Sequence, residues 1–356
     1  DLIAFNTAFA NPVAYIRGIT GESSRVTRWS LGDRTINLNN ALGGNGHVND
    51  FTAGTLNALV DTLIVGQGAQ GNTLNTAIMG TFNMGAGILD VTSLGIGVSG
   101  TANGGSGIGF MNVTGGTVVA NALTIAATGG GQASTAGTLS LTNATLVVSN
   151  GVTIGAGTAG ATLNASGSSV KLLNATTLGS PIPLLALNLD GGSFQLNVDA
   201  NTGVPVIGAT TVNTGAVTTV NIGSFANVSG PVQIPLLSYT GNDPFGALSL
   251  GTYPAGYSVS LVDNTGNSTV DLSISPAGPN APRITAIGVS GVTLTIRGTN
   301  VSLSGQYVLL GSTNVTLPLS QWTPILTNNY APDGSFNLST NVVNPANPKA
   351  FYILKQ

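Results

Sequence analysis

Apolar and polar residues alternate in short segments that recur through the middle of the chain. In each segment the third and fifth residues are apolar and the fourth is polar. The six segments are GTLNA (54–58), GTFNM (80–84), GFMNV (109–113), GTLSL (137–141), ATLNA (161–165) and GSFQL (192–196). Alternation with a period of two predicts a strand that has one buried face.

Two further alternating segments follow within most of these repeats. The second stands at 89–91, 118–120, 146–148 and 170–172, and the third at 94–96, 123–125 and 152–154. Three short strands per repeat, with Gly-rich corners between them, predict a chain that turns through three sides and stacks each turn about 4.8 Å above the last. We therefore predict an all-β fold: a right-handed parallel β-helix with three strands per rung, followed by a small C-terminal β-sandwich.

Changes in this pattern divide the chain into four parts. Residues 1–53 do not follow the repeat and are predicted to form an N-terminal cap or an assembly arm. Residues 54–275 are predicted to form the β-helix, whose last part keeps its strands but loses the strict columns. Residues 276–283 read as a Pro-rich linker, and residues 284–356 as a β-sandwich-like domain.

The polar fourth residue of the segments would form a column along the stacking axis. Stacked amides can hydrogen-bond to one another, as in the Asn ladders of cross-β structures. The alternative is a flat polar row that binds a ligand such as a sugar, ice or an ion, and the sequence leaves both open. The predicted structural ladder consists of Asn57, Asn83, Asn112, Asn164 and Gln195.

Two valines stand in the outward column of the second strand. Val119 and Val147 would be exposed in successive rungs, which suggests that this side is covered. The cover could be a neighbouring copy or a flanking loop of the same chain. We therefore predict a possible lateral contact at these two residues.

Charge is scarce, and this limits the chemistry of the chain. Charged residues make up 6% of the chain, against about 25% in ordinary globular domains. Between Thr62 and Val170 the only ionisable side chain is Asp90. Nine Lys and Arg residues at a net charge of −3 form no strong basic face, so we predict no nucleic-acid partner.

Several kinds of site have no support in the sequence. The chain has no cysteine, which excludes disulfides and thiolate metal sites, and no metal or cofactor motif is visible. No apolar run is long enough to predict a membrane span. The start at Asp1 fits a mature chain after removal of an export signal.

A carbohydrate-active enzyme would need paired acids, or a base and an acid, on one face. The repeats offer Asp61, Asp90 and Lys171, which lie one to several rungs apart, and His47 stands outside the repeats. No motif connects these residues. We therefore predict no catalytic residue, and a polysaccharide-active enzyme is the least favoured of three hypotheses.

Roughly residues 55–356 resemble a known family, most specifically over 230–356. The segments PLLSYTG (235–241), LSLG (248–251) and LVDNTGN (261–267) resemble the closing unit of secreted bacterial proteins with autotransporter-associated β-strand repeats. The segments GQYVLLGSTN (305–314), QWTP (321–324) and FYIL (351–354) look like the short C-terminal domain of such proteins. The resemblance implies export, a β-helical body and an extracellular or cell-surface role, and it implies no catalytic residues.

These observations favour a structural role. The predicted function is a non-catalytic extracellular protein that assembles with copies of itself into a head-to-tail filament or surface matrix. The alternative is a surface adhesin or glycan-binding β-helix, whose partner would be a cell-surface or matrix polysaccharide.

Overall fold

The structure is a computed structural model of the chain. It describes residues 2–6, 8–33, 46–68, 77–99, 105–128, 135–157, 159–174, 177–276, 283–299, 306–331, 334–344 and 349–355. These residues form strands, turns and three short 3₁₀ segments, so the all-β prediction is confirmed. The chain divides into two compact units, Asp1–Pro276 and Ala277–Gln356. Most of the predicted linker, 277–282, lies outside the described residues.

The first unit is a long sheet of nineteen described strands, most of them parallel. Its strands are β1 (Leu2–Ala4), β2 (Val13–Ile16), β3 (Val26–Asp33), β4 (His47–Gln67), β5 (Ile78–Val98), β6 (Gly107–Val113), β7 (Thr117–Ala127), β8 (Ala136–Thr142), β9 (Thr145–Ile154), β10 (Gly160–Ser166), β11 (Ser169–Leu172), β12 (Leu184–Asp190), β13 (Ser193–Asp199), β14 (Ile207–Thr214), β15 (Thr218–Ala226), β16 (Val232–Ser238), β17 (Leu248–Leu250), β18 (Tyr257–Asn264) and β19 (Thr269–Pro276).

Parallel pairing arranges these strands in three rows. Row A contains β1, the first parts of β4 and β5, then β6, β8, β10, β12 and β14. Row B contains β2, the middle parts of β4 and β5, the first parts of β7 and β9, then β11, β13, β15 and β17. Row C contains β3 and the last parts of β4, β5, β7 and β9. Each strand therefore pairs with the equivalent strand of the next repeat.

Two of the six aligned segments belong to a different row from the other four. In row A, Asp50 pairs with Asn83, and Thr162–Ser166 pair with residues 186–190, whereas segments 54–58 and 192–196 lie in row B. Their assignment to one column was wrong because rows A and B share the same two-residue alternation. The predicted boundary at residue 53 falls inside β4, and β1, β2 and β3 all pair in parallel with that strand.

The end of row C lies against the start of the next row A strand. Its corner residues are in register and all have left-handed backbone angles: Gly32, Gly66, Gly97 and Ala126, with φ of 59°, 76°, 65° and 55°. A Cβ added to Gly109, at the start of a row A segment, would lie 2.4 Å from the backbone nitrogen of Gly97. The chain comes back on itself at this corner, and only a residue with little or no side chain fits.

One hydrophobic core runs along the whole unit, from Leu31 in β3 to Ile274 in β19. The inward residues of neighbouring rows meet in it, and most are small or branched aliphatics. Near β12 to β17 it retains an apolar cavity of about 20 Å³, which is lined by residues of rows A and B, together with β16. Rows A and B therefore face a shared interior, and they are not successive stretches of a flat sheet.

The last strands of the unit change direction. β19 pairs antiparallel with both β16 and β18, and its Val270, Leu272 and Ile274 are fully buried. Asp271, between them, accepts hydrogen bonds from Thr269 Oγ1 (2.6 Å), Asn264 Nδ2 (2.7 Å) and Gln233 Nε2 (2.7 Å). Burial alone would raise the pKa of Asp271, but these three hydrogen bonds outweigh it and hold the pKa below its usual range. This carboxylate connects the antiparallel strands β16, β18 and β19 at the C-terminal end of the unit.

The second unit contains two antiparallel sheets of three strands each. Its strands are β20 (Arg283–Ser290), β21 (Thr293–Thr299), β22 (Gln306–Ser312), β23 (Thr323–Asn329), β24 (Ser335–Asn341) and β25 (Phe351–Lys355). The strand orders are β20-β21-β24 and β23-β22-β25. Leu294 and Ile296 of the first sheet share a core with Tyr307 and Leu309 of the second. This unit therefore has a core of its own.

The corner of row C gives a direct test of the register. A Cβ at residue 97 would lie 1.8 Å from the carbonyl oxygen of Ala136, and φ there is left-handed. We expect Gly97→Ala to lower the free energy of unfolding by about 2–4 kcal/mol. Gly151→Ala is the matched control, because no atom lies within 4 Å of the added Cβ. Urea denaturation of both variants measures the difference, and an equal stability for the two would contradict the register.

Candidate functional site: amide ladders and the open N-terminal edge

An amide ladder follows the outward face of row A. Asp50, Asn83, Asn112, Ser140, Asn164, Asn188 and Asn213 are register partners. Asn112 Nδ2 donates to Asn83 Oδ1 at 2.9 Å, and Asn164 Nδ2 donates to Ser140 Oγ at 2.9 Å. Asn213 Nδ2 donates to Asn188 Oδ1 at 2.6 Å, and Asn188 Nδ2 in turn donates to Asn164 Oδ1. In each bond the donor belongs to the later repeat, so the amides point in one direction.

The structure brings three of the five predicted ladder residues into this column and places two elsewhere. Asn83, Asn112 and Asn164 lie in row A. Asn57 lies in row B, where it pairs with Tyr15 and Ile88, and its Oδ1 accepts a hydrogen bond from Arg17 at 2.8 Å. Gln195 also lies in row B, between Lys171 and Asn221. Both were assigned to the wrong column with their segments, and Asn188 and Asn213 were missed.

A second ladder was also missed. Asn150 Nδ2 donates to Asn121 Oδ1, and Asn174 Nδ2 donates to Asn150 Oδ1 at 2.9 Å. These residues lie 29 and 24 positions apart, which matches the repeat length. The spacing was therefore present in the sequence, but these residues lie after the second aligned segment of each repeat, outside the aligned columns.

The outward column of row B is mixed. It reads Leu59, Asp90, Val119, Val147, Lys171, Gln195 and Asn221. Val119 and Val147 are direct register partners, and both are only half-buried. Neither is among the exposed large apolar side chains of the described residues. A lateral contact through these two valines stays a prediction.

The ionisable residues considered for catalysis do not come together. Asp90 and Lys171 are three register steps apart in row B, or about 14 Å at the usual strand spacing. Asp61 and Asp90 both bind one arginine: Arg25 Nε lies 3.1 Å from Asp61 Oδ1, and Arg25 Nη2 lies 2.8 Å from Asp90 Oδ1. His47 begins β4, in row A. The carboxylates of Asp61 and Asp90 are therefore both engaged in ion pairs with Arg25.

The N-terminal arginines attach the first strands to the body of the unit. Arg17 Nη1 donates to the carbonyl oxygen of Asn57 at 2.7 Å, and Arg25 reaches past β4 to β5, where Asp90 lies. Arg28 pairs with Asp33 and also donates to Gln67. Exposed ion pairs contribute only about 0.2–1 kcal/mol each. Their role here is to fix the position of residues 13–33 on the edge of the sheet.

The N-terminal edge of the first unit is open within the described part of the chain. β1, β2 and β3 each pair in register with β4 and with no other described strand, so one side of each has unpaired backbone groups. Eleven large apolar residues are exposed among the described residues of this unit, and six of them lie in the first nineteen positions. They are Leu2, Ile3, Phe9, Val13, Tyr15 and Ile19.

An apolar groove of about 530 Å³ lies at this edge. Its walls come from all three rows and include Ile3, Ile16, Val26 and Trp29, and Phe51 forms part of the groove. The Trp29 ring contacts Phe51 and Phe82 edge-on at 5.7 and 5.4 Å between centroids. Among the described residues, the groove therefore lies at the N-terminal end of the long core, beside β1, β2 and β3.

Comparisons with models of protein families, with curated proteins and with solved structures found no match to this chain. Among the described residues, no helix has the length and apolar character needed to cross a membrane. The same residues contain no group of three or more His, Cys, Asp or Glu side chains that could hold a metal ion. The candidate sites are therefore judged on their geometry alone.

The row A ladder can be tested at its most connected amide. Asn188→Ala removes one donated and one accepted hydrogen bond, and we expect it to lower the free energy of unfolding by about 1–2 kcal/mol. Gln195→Ala is the control, because its side chain makes no hydrogen bond to another described residue. Urea denaturation of both variants measures the effect. A loss at Gln195 as large as that at Asn188 would contradict the ladder.

Proposed function

We propose that this chain is a non-catalytic, extracellular structural protein that joins a second copy of itself through its open N-terminal edge. Its first unit would be a right-handed parallel β-helix, and its second a small β-sandwich. The observation that carries the proposal is the N-terminal end of the core, where three strand edges are unpaired among the described residues and border an apolar groove.

Two observations support the β-helix interpretation: the parallel pairing within each row, and the contact between row C and row A at the corner. Equivalent strands of successive repeats pair in parallel, and the end of row C contacts the start of the next row A strand. A parallel connection of this kind is right-handed in almost all known sheets. The rows would thus form the sides of a coil around the shared core.

The shape of the open end favours another coil as its occupant. A partner must offer strand edges along three sides at once and cover an apolar cross-section between them. A second copy has such an end at its own N-terminus, whereas its C-terminal end finishes in the antiparallel strands β18 and β19, which do not continue the parallel rows. Two copies would therefore meet head to head, in an interface that uses the same surface twice.

This arrangement revises the head-to-tail filament that the sequence suggests. Head-to-tail growth through the first unit would need parallel rows at its C-terminal end, whereas the last strands there, β18 and β19, pair antiparallel. A filament or surface matrix would need an additional joint in residues 277–356. The extracellular location rests on the resemblance to secreted repeat proteins, and the low charge agrees with a non-catalytic role.

The oligomeric state of the chain tests this proposal. We expect size-exclusion chromatography with multi-angle light scattering to show a dimer whose fraction rises with protein concentration. Ile3→Glu should shift the population to monomer, because Ile3 lines the groove and is 56% exposed. A charge there would be desolvated in the interface without disturbing the fold.

Ile88→Glu is the matched control, since Ile88 is an isoleucine of similar exposure away from the groove. It should leave the dimer intact. A wild-type chain that stays monomeric at all concentrations would contradict the proposal, as would a dimer that Ile3→Glu leaves unchanged.

A further inference from the structure

The second unit has a cleft of about 470 Å³ at one end of its two sheets. The residues of one row across the second sheet line it: Gly311 of β22 pairs with Thr323 of β23 on one side and with Tyr352 of β25 on the other. Asn344, which follows β24 of the first sheet, also lines it. Residues that belong to or follow strands of both sheets thus meet at the cleft, and its volume is in the range of small-molecule sites.

Gly311 shapes the floor of the cleft. A Cβ at this position would lie 2.6 Å from Ile325 Cδ1 and 3.5 Å from Tyr352 Cδ1. Because glycine has no side chain, Ile325 and the Tyr352 ring can lie close to the backbone of β22. The result is an apolar floor that includes one aromatic ring.

Two hydrogen bonds fix the walls. The buried Trp322 donates its indole Nε1 to the carbonyl oxygen of Leu317 at 2.9 Å, which holds the loop between β22 and β23. Tyr352 Oη donates to the carbonyl oxygen of Val342 at 3.1 Å, which holds the chain after β24. The cleft is therefore formed in advance, so a ligand would meet little ordering cost on binding.

The polar residues of the lining are hydroxyls and amides. They are Ser312, Thr313, Gln321, Thr323 and Asn344. Such groups both donate and accept hydrogen bonds, as the hydroxyls of a sugar do. None of the lining residues is ionisable apart from the Tyr352 phenol, whose proton is already donated to Val342. This composition does not compensate a charged ligand.

We propose that this cleft binds a neutral saccharide, whose apolar ring face would lie on Ile325 and Tyr352 and whose hydroxyls would meet Gln321, Thr323 and Asn344. This site is independent of the N-terminal edge. It would let a structural subunit attach to a neutral polysaccharide while its other unit joins a second copy.

Saturation-transfer difference NMR on the full chain tests the proposal with three neutral disaccharides, maltose, cellobiose and lactose, and with digalacturonic acid as a charged comparison. At least one neutral disaccharide should bind, and digalacturonic acid should bind more weakly. Gln321→Ala should weaken the binding about three- to tenfold, as expected for one lost hydrogen bond. Gln321 and Thr323 are both exposed, so the double variant with Thr323→Ala should fold normally and lose detectable binding.

Gln306→Ala is the matched control, because Gln306 is exposed at the opposite end of β22. It should leave the binding unchanged. Absence of binding by all three neutral disaccharides would overturn the proposal. So would a preference for digalacturonic acid, or binding that the double variant retains. The oligomeric state of these variants separates this result from the proposed assembly, because neither change touches the N-terminal edge.

Discussion

In-register stacking is the constraint on which the rest of the first unit depends. Each residue of a row lies directly beside its equivalent in the next repeat, about 4.8 Å away. A side chain is therefore tolerated only if it can lie beside the side chain at the same place in the next repeat. Like charges at this distance repel by roughly 1 kcal/mol per pair even in water, which accounts for the near absence of ionisable residues between Thr62 and Val170. Amides stack favourably because each both donates and accepts.

The same constraint distinguishes the two ends of the unit from its interior. An internal strand has its backbone groups paired on both sides, whereas a terminal strand has them paired on one. At the C-terminal end the last strands pair antiparallel and share a hydrogen-bonded carboxylate, Asp271. The N-terminal edge instead carries arginine contacts and exposed apolar side chains. The charges are concentrated where stacking stops, because there they no longer have to lie beside copies of themselves.

The sequence was sufficient to predict the alternation, the repeat and the inward columns, because burial imposes a period of two on every strand. It was not sufficient to separate rows A and B. Asn83 and Asp90 are outward residues of neighbouring rows seven positions apart, as are Asn188 and Gln195. A segment from one row therefore aligns with a segment from the other without any loss of pattern. Asn57 was assigned to the wrong row for this reason. Asp50 occupies the position of the ladder asparagines in the first repeat, but it has no amide, so the alignment did not include it.

The cleft of the second unit shows a different limit. Gly311, Gln321, Asn344 and Tyr352 are far apart in the sequence and share no motif. Only the pairing of β22 with both β23 and β25, and the position of the chain after β24, brings them together. The role of a residue such as Gly311 depends on the side chains that lie over it, and the tertiary structure determines which side chains these are.

The central claim is that the N-terminal strand edges are the surface at which two copies meet. Hydrogen–deuterium exchange followed by mass spectrometry, at low and at high protein concentration, tests it most directly. The account predicts that peptides covering β1, β2 and β3 become protected as the concentration rises, while peptides covering β7 and β9 are slow to exchange throughout. Exchange in β1 to β3 that does not depend on concentration, or new protection that appears only elsewhere, would contradict it.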